Sequence, residues 1–390
     1  MLANRLLAST AAAFASAAAC AQPQPTFPAL PYATLGPRSL LLDLYIPAAG
    51  PGPFPCVVFI HGGGWSGGSR TPVPAPALAT RLLNAGLAIA SIDYRLTSQA
   101  GQFGTNPVTF PAQIHDTKGA VRFLRANAAQ FNLNPARFGS WGSSAGGHLS
   151  ALLGASGGVA SLEGTVGGNL GQSSAVQAVA DYFGPTDLLN ASPDVTTPPG
   201  STVNHDAPTS AESALIGFNQ PGQGIGVLRA NQNNPNPPFP QFVTLVTQAN
   251  PMTWVDPVDP PFLIAHGELD TVVPQKQSIK LHDALRAAGG TSTYWVMPSA
   301  GHGFGGAEIE AEVTRFFQMH LLGVPFPPRC AANCDGSTAA PVLNINDFQC
   351  FINRFAANQP SANCDASTLV PVLNVNDFSC FLNRFATGCP

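Results

Sequence analysis

Charged residues are scarce in this chain of 390 residues, which has 17 lysines and arginines, 21 aspartates and glutamates, and a net charge of −4. Such a weak, slightly negative charge argues against a nucleic-acid-binding surface. Long apolar runs are missing after residue 21, so no later segment predicts a membrane span. Cysteine is rare before position 330, and Cys56, which starts an apolar run, is expected to be a packed free thiol.

The first 21 residues differ from the rest in composition. They carry a single charge at Arg5, a core rich in alanine and leucine, and the sequence Ala-Cys-Ala before Gln22. This pattern predicts a secretory signal peptide over residues 1–21 and an exported protein whose mature chain begins near Gln22. Lipidation of Cys20 is the competing interpretation, although Ala17 stands where a lipobox prefers leucine.

Glycine is abundant, with 39 residues, and one glycine-rich segment indicates a nucleophile. Residues 142–146, Gly-Ser-Ser-Ala-Gly, fit the G-x-S-x-G nucleophile elbow, which places a serine on a tight turn between a strand and a helix. The flanking pattern agrees, because residues 137–141 predict a strand and residues 145–153 predict a helix of small and apolar residues. Ser144 is therefore the candidate nucleophile, at a helix N-terminus that favours developing negative charge.

A second glycine-rich segment precedes the elbow in the chain. Residues 56–60 form a continuous apolar run typical of a buried strand, and residues 61–65, His-Gly-Gly-Gly-Trp, follow it directly. A glycine loop at the carboxyl end of a central strand can turn its N–H groups inward. The amides of Gly63, Gly64 and Ala145 are the predicted oxyanion hole, and an ordinary glycine turn is the alternative.

An acid and then a histidine are expected after the serine. Residues 261–266 predict another buried strand, and the loop behind it holds both Glu268 and Asp270, either of which is a candidate acid. After the next predicted strand, a loop presents His302 between two glycines. In the predicted scheme His302 takes the proton from Ser144, which attacks the carbonyl to form an acyl-enzyme that water cleaves.

The other seven histidines lack such a setting. His148 lies one helical turn beyond Ser144 and is expected to pack into the interior. His61 and His266 end predicted strands and are expected to brace loops. Solvated or packing roles are the default for the histidines without a surrounding motif, which are His115, His205, His282 and His320.

Together these motifs resemble α/β-hydrolases of the bacterial esterase kind, close to the hormone-sensitive-lipase and feruloyl-esterase-like (BD-FAE-like) groups. The resemblance extends over nearly all of a catalytic domain assigned to residues 22–322, and it includes the segments DLYIP at 43–47, DYR at 93–95 and FGPTDL at 183–188. It implies an α/β-hydrolase fold with a central, mostly parallel sheet flanked by helices, and ester hydrolysis without a cofactor. It also implies Asp270 as the acid of the triad.

Residues 189–255 are longer than an ordinary connection and rich in asparagine, proline and glycine. They predict one helix, around residues 210–218. Two interpretations stand with equal weight: a lid or wall of the substrate pocket, and a floppy surface insertion.

Six of the eight cysteines lie after a proline-rich linker at residues 323–329. In residues 330–390, the segment 333–355 recurs as 363–385, and each copy predicts a loop followed by a helix with phenylalanines at helical spacing. We therefore expect a small, helical, disulfide-rich domain. The duplicated unit resembles a dockerin module, which implies attachment to a cohesin-like or cell-surface protein.

The loops of this module carry oxygen ligands of the type that calcium prefers. The candidate calcium ligands are Asn333, Asp335, Asn344, Asp347, Asn363, Asp365, Asn374 and Asp377. The loops are longer than a standard calcium loop, so a metal-free domain closed by disulfides is the competing interpretation. Repeat symmetry favours a bond between Cys330 and Cys389, with equivalent pairs inside each repeat.

Three classes of function follow from the sequence. The first is an exported serine carboxylic-ester hydrolase that acts on short-chain or carbohydrate-linked esters, such as acetyl or feruloyl esters of small molecules or polysaccharides. The second is a serine peptidase on the same fold, against which the glycine loop weighs. The third is a non-catalytic, surface-attached binding protein, against which the intact order of serine, acid and histidine weighs.

Overall fold

The structure is a computed structural model that describes residues 22–73, 75–195, 200–324, 345–356 and 374–387. The predicted signal peptide, most of the predicted linker and most of the C-terminal loops lie outside the described residues. Within the described ranges, we find no helix with the length and apolar character that a membrane crossing requires.

The described residues contain a sheet of eight strands. In chain order these are β1 (Phe27–Leu35), β2 (Arg38–Tyr45), β3 (Phe54–Ile60), β4 (Ala88–Ile92), β5 (Leu133–Ser143), β6 (Ala178–Tyr182), β7 (Phe262–Gly267) and β8 (Ser292–Met297). Their order in the sheet is β1-β2-β4-β3-β5-β6-β7-β8. β1 pairs with β2, and β2 with β4, in antiparallel fashion, whereas β4, β3, β5, β6, β7 and β8 are parallel. The mostly parallel sheet is confirmed.

The described residues also contain eleven α-helices. They are α1 (Pro76–Asn84), α2 (Ala112–Ala126), α3 (Ala145–Ala155), α4 (Ala160–Glu163), α5 (Ala211–Ile216), α6 (Ile225–Ala230), α7 (Phe239–Ala249), α8 (Gln275–Ala287), α9 (Ala307–Phe317), α10 (Ile345–Ala356) and α11 (Val375–Thr387). Shorter helical turns cover Thr97–Gln99, Leu188–Asn190, Pro251–Trp254 and Gln318–Leu322.

The central strands have apolar side chains on both faces of the sheet. Every residue of β3 is buried, and its side chains alternate between two core clusters. Val57 and Phe59 pack with α1 and α9 on one face, while Cys56, Val58 and Ile60 pack with α2 and α3 on the other. Because helices cover both faces of the sheet, β3 has apolar residues on both sides and does not alternate between apolar and polar residues. Cys56 is a buried free thiol, as predicted, and burial raises its pKa.

The segment 189–255 contains more regular structure than predicted. The expected helix is α5, but α6 and α7 were not predicted. Leu215, Leu228 and Val246 from these three helices are fully buried in the main core. The described part of the segment is thus packed against the sheet domain, which does not match a floppy insertion.

The two predicted C-terminal helices are present as α10 and α11. They pack through phenylalanines, and the rings of Phe351 and Phe381 stack with centroids 4.0 Å apart and planes 9° apart. Cys350 and Cys380 are both disulfide-bonded rather than free. The predicted pairing of Cys330 with Cys389 lies outside the described residues.

The calcium prediction falls largely outside the described residues, which exclude Asn333, Asp335, Asn344, Asn363 and Asp365. Of the three candidates inside them, Asp347 and Asp377 are buried. The backbone N–H of Asn374 donates to Asp377 Oδ2 at 2.9 Å, and the Asn374 side chain accepts the N–H of Asn376 at 2.8 Å. These contacts cap the start of α11. Within the described residues, no three His, Cys, Asp or Glu side chains group as a metal site would require.

Candidate active site

Ser144 lies at the tight turn between β5 and α3. Its backbone is held at φ 55° and ψ −123°, a conformation that residues other than glycine rarely adopt. Two hydrogen bonds hold it there: the Ser144 N–H donates to Tyr182 O at 2.8 Å, and the His148 N–H donates to Ser144 O at 3.0 Å. The strand, turn and helix predicted for the elbow are therefore present.

The glycines of the elbow are needed because neighbouring backbone comes too close for any side chain. A methyl group built on Gly142 would overlap the carbonyl oxygen of Gly146, and one built on Gly146 would overlap that of Ile60. The start of α3 therefore packs directly on the backbone of β5 and on the end of β3, and only glycine fits at these two positions.

The three predicted triad side chains meet in one chain of hydrogen bonds. His302 Nε2 lies 3.0 Å from Ser144 Oγ, and His302 Nδ1 lies 2.8 Å from Asp270 Oδ2. The ring of Phe183 packs on the His302 imidazole, with ring centroids 4.6 Å apart. These distances suit proton transfer between serine and histidine.

The sheet explains how residues so far apart in the chain converge. Ser144 follows β5, Asp270 follows β7, and His302 follows β8. Because these strands are parallel, their carboxyl ends lie at the same edge of the sheet.

Asp270, and not Glu268, contacts the histidine. The N–H groups of Val272 and Val273 donate to Asp270 Oδ1 at 2.8 and 3.0 Å, which leaves Oδ2 facing His302. Burial opposes ionisation of this carboxyl, but hydrogen bonds from His266, His302 and Val272 outweigh it, so its pKa lies well below the usual range. The exposed Glu268 instead accepts the N–H of Ser299 at 2.9 Å.

The predicted oxyanion-hole residues border the same cavity as the nucleophile. We call this space of about 520 Å³ the Ser144 cavity; Gly63, Gly64 and Ala145 line it together with Ser144 and His302. The Gly63 carbonyl accepts the N–H groups of Ser66 and Gly67 at 3.1 and 2.9 Å, so the glycine loop folds back on itself.

Residues 42–285 match the model of the BD-FAE family. The chain belongs to the BD-FAE family. Esterase LipQ of Mycobacterium tuberculosis (strain ATCC 25618 / H37Rv) is 30% identical over 308 residues, which are 78% of this chain and 63% of that protein. Esterase LipC of the same organism is 29% identical over 65% of this chain and 53% of its own length. The chain thus spans less than two thirds of both relatives.

A solved structure also resembles this BD-FAE family member. The truncated form of a carbohydrate esterase from gut microbiota has 30% sequence identity and a TM-score of 0.63, and the match covers 76% of this chain and 96% of that one. An esterase of Thermogutta terrifontis, at 22% identity and a TM-score of 0.55, shares the fold.

Below the Ser144 cavity, the BD-FAE domain has a buried histidine that joins three elements. The Trp65 indole N–H donates to His148 Nδ1 at 3.2 Å, so the ring proton resides on Nε2, which donates to Ala249 O at 2.8 Å. Burial lowers the pKa of His148 to about 4, so the ring is neutral. This confirms the predicted interior role and ties the glycine loop, α3 and α7 together.

Two residues of the cavity wall were not predicted from the sequence. His205 and Glu212 both line the Ser144 cavity, are almost fully buried, and contact each other through Nδ1 and Oε1 at 2.8 Å. Their other polar atoms, His205 Nε2 and Glu212 Oε2, have no hydrogen-bond partner among the described residues. No sequence motif marks the pair, because His205 lies in a polar loop and Glu212 lies at the start of α5. Burial of two ionisable residues beside a nucleophile is the signal, and it is visible only in three dimensions.

Proposed function

We propose that this protein is an exported serine esterase that cleaves short-chain or carbohydrate-linked carboxylic esters, such as acetyl or feruloyl esters. The observation that carries the proposal is the unbroken chain of hydrogen bonds from Asp270 through His302 to Ser144 beside the glycine loop. The names of the relatives support the ester class, and the carbohydrate esterase from gut microbiota supports a sugar on the alcohol side.

In the proposed reaction, Ser144 Oγ attacks the ester carbonyl while His302 Nε2 takes its proton across the 3.0 Å contact. The ionised Asp270 stabilises the imidazolium that forms. The carbonyl oxygen becomes negative and faces the amides of Gly63, Gly64 and Ala145. The bond to the alcohol then breaks, the alcohol leaves with the proton from His302, and the acyl group stays on Ser144.

Deacylation repeats the same steps with water as the nucleophile. His302 accepts a proton from the water as its oxygen attacks the acyl carbon, and returns it to Ser144 Oγ when the carboxylic acid leaves. Each proton and each bond is accounted for by the three side chains and the substrate. The reaction in this form needs no cofactor.

The experiment that tests the proposal compares wild type with Ser144→Ala on p-nitrophenyl esters from acetate to laurate, acetylated xylan and methyl ferulate. We expect the variant to lose about 10⁴- to 10⁶-fold in kcat, as triad knockouts do. Ser161→Ala, an exposed serine in α4, is the matched control and keeps its activity. Equal inactivity of wild type and Ser144→Ala on every ester would contradict the proposal and direct the search to peptide cleavage.

We also propose roles for residues 1–21 and 330–390. Residues 1–21 direct export, and residues 330–390 form a dockerin-like, disulfide-closed module that attaches the enzyme to a cohesin-like or cell-surface protein. The duplicated sequence and the aromatic pairing of α10 with α11 support a two-repeat unit. N-terminal sequencing of the exported protein should begin at Gln22, and non-reducing peptide mapping should join Cys330 to Cys389. Retained residues 1–21, or a free Cys389, would contradict these parts.

A further inference from the structure

A second serine–histidine pair lies next to Asp270. His266 is near the end of β7, and its Nδ1 lies 2.7 Å from the hydroxyl oxygen of Ser278 in the first turn of α8. The Nε2 of the same ring lies 2.9 Å from Val273 O and 3.3 Å from Asp270 Oδ2. Asp270 Oδ2 is therefore in contact with two imidazole rings, those of His266 and His302.

The partners of His266 decide where its ring proton resides. Nε2 faces a carbonyl and an ionised carboxyl, which only accept, so Nε2 carries the proton. The Ser278 hydroxyl then donates to Nδ1, and both nitrogens of a neutral ring have a partner. Because Val273 O is the nearer acceptor, the proton is bonded mainly to this carbonyl and is shared with Asp270.

This second pair is separated from the space that a substrate would occupy. His266 and Ser278 are both 0% exposed, and the described residues that line the Ser144 cavity include neither of them. Ser278 is therefore not placed to attack an ester in that cavity, and His266 is not placed to exchange a proton with one. An influence of the pair on the reaction has to pass through Asp270.

Both oxygens of the Asp270 carboxyl have partners. The N–H groups of Val272 and Val273 donate to Oδ1, and Oδ2 lies between the two histidines. Burial opposes ionisation of Asp270, and the contact with His266 is the largest of the contributions that lower its pKa. Among the described side chains, the ionisable groups that contact this carboxyl are His266 and His302.

We propose that His266 is a positioning residue that holds Asp270 Oδ2 opposite His302 Nδ1. The Ser278 hydroxyl assists by leaving the ring proton on Nε2. This inference rests on the proposed esterase mechanism and adds to it a residue that touches neither the substrate nor the nucleophile. The effect is on the imidazolium that forms when His302 takes the proton from Ser144, because a carboxylate fixed at 2.8 Å stabilises that charge.

The test measures the pH profile of kcat/KM for p-nitrophenyl acetate, well below the thermal unfolding midpoint of each protein. In His266→Leu we expect the plateau to fall about tenfold, with KM within about twofold of wild type. The midpoint of the acid limb should move to lower pH by about one unit. The two changes match because one interaction stabilises the imidazolium in the transition state and in the titration, and one unit corresponds to about tenfold in rate.

Two milder substitutions keep the test decisive if the leucine variant does not fold. His266→Gln retains an N–H donor on a side chain of similar reach and should restore most of the plateau and of the midpoint. Ser278→Ala keeps the ring and removes only the donor to Nδ1. It should lower the plateau about threefold and the midpoint by about half a unit.

Ser292→Ala is the matched control, because Ser292 makes the same kind of contact elsewhere. Its Oγ lies 2.9 Å from His282 Nδ1 at the start of β8, whereas His302 follows the end of that strand. The control should leave the plateau and the midpoint unchanged.

Three results have different meanings. A folded His266→Leu or Ser278→Ala protein that is less stable but has the wild-type pH profile would overturn the proposal and make the pair purely structural. A midpoint that moves to higher pH would overturn it as well, because His302 would then hold its proton more tightly without His266. Failure of the esterase function itself would appear separately, as wild type inactive at every pH.

Discussion

The Ser144 cavity and the C-terminal helix pair are held together by different kinds of contact. In the cavity, polar side chains far apart in the chain meet at hydrogen-bond distance: Ser144 and His302 are 158 positions apart, and Asp270 and His302 are 32 apart. In the helix pair, phenylalanines of two sequence repeats pack ring against ring, with Phe351 and Phe381 buried between α10 and α11.

Each region is therefore sensitive to a different kind of substitution. Proton transfer depends on a few atoms and on the charge of one carboxylate, so an isosteric change can stop the reaction while the fold stays intact. Aromatic packing depends on buried area, so truncation of a ring costs stability and leaves chemistry elsewhere unaffected. Three substitutions test the contrast.

The largest expected effect is that of Asp270→Asn. The amide keeps the shape of the carboxyl but removes the charge that orients His302 and stabilises its protonated form, so kcat should fall about 10⁴-fold. Initial rates on p-nitrophenyl acetate and a thermal melt together separate loss of chemistry from loss of fold. Glu268→Gln, on the exposed neighbour in the same loop, is the control and should change kcat less than about threefold, as surface changes do. Equal losses in the two variants would refute Asp270 as the acid.

The second-largest expected effect is that of Phe351→Ala in the helix pair. Loss of the stacked ring should destabilise α10 and α11 by about 3 to 5 kcal/mol, the usual cost of a buried phenylalanine. Limited proteolysis with mass spectrometry should then show cleavage within residues 345–387, while kcat/KM on p-nitrophenyl acetate stays within about twofold of wild type. Phe351→Leu keeps most of the apolar volume and should be cleaved more slowly. A large loss of esterase activity in Phe351→Ala would show that the two regions are coupled.

The smallest expected effect is the pH dependence of folding stability that His148 causes. His148 has a folded-state pKa of about 4, below its ordinary value of 6.5, so the folded protein binds fewer protons than the unfolded chain in this range. The stability from its neutral ring is therefore complete above pH 6.5 and is lost as pH falls towards about 4, by roughly 3 kcal/mol at 1.36 kcal/mol per pKa unit.

His148→Gln isolates the contribution of this ring to the pH dependence of stability. Glutamine keeps an acceptor for Trp65 and a donor for Ala249 but does not titrate. Urea unfolding at pH 8, 6 and 4.5 gives the free energy of unfolding of both proteins. Wild type should lose more stability than the variant on acidification, and most of this extra loss should fall between pH 6 and 4.5. Parallel pH profiles would show that His148 has the same pKa in the folded and the unfolded chain, and would contradict the prediction.

Much of the site was predictable because its signals are local. A continuous apolar run indicates a strand with both faces covered, and β3 and β7 were expected for that reason. The elbow motif includes its own glycines, so Ser144 could be placed on its turn before the fold was known. His302 followed from the order of the triad along the chain.

The segment 189–255 was harder to predict for a physical reason. Helix α6 is only six residues long, and a run rich in asparagine and proline, residues 231–238, separates it from α7. They are helical because the core accepts Leu228 and Val246, which is a tertiary effect that overrides weak local preference. The His205–Glu212 pair also depends on tertiary packing, because Glu212 lies on α5, which packs in the same core through Leu215.

Local patterns of neighbouring residues were enough to predict the nucleophile turn, the glycine loop and the duplicated C-terminal helices. The order of serine, acid and histidine along the chain was also predictable before the fold was known. From the residues alone, Glu268 and Asp270 were both candidate acids, two positions apart in one loop. The tertiary structure decided between them. The amides of Val272 and Val273 turn the Asp270 carboxylate towards the edge where β8 delivers His302, while Glu268 points to solvent and holds the neighbouring loop at Ser299. Which carboxylate contacts His302 depends on where β7 and β8 end relative to each other, and no local sequence pattern predicts that.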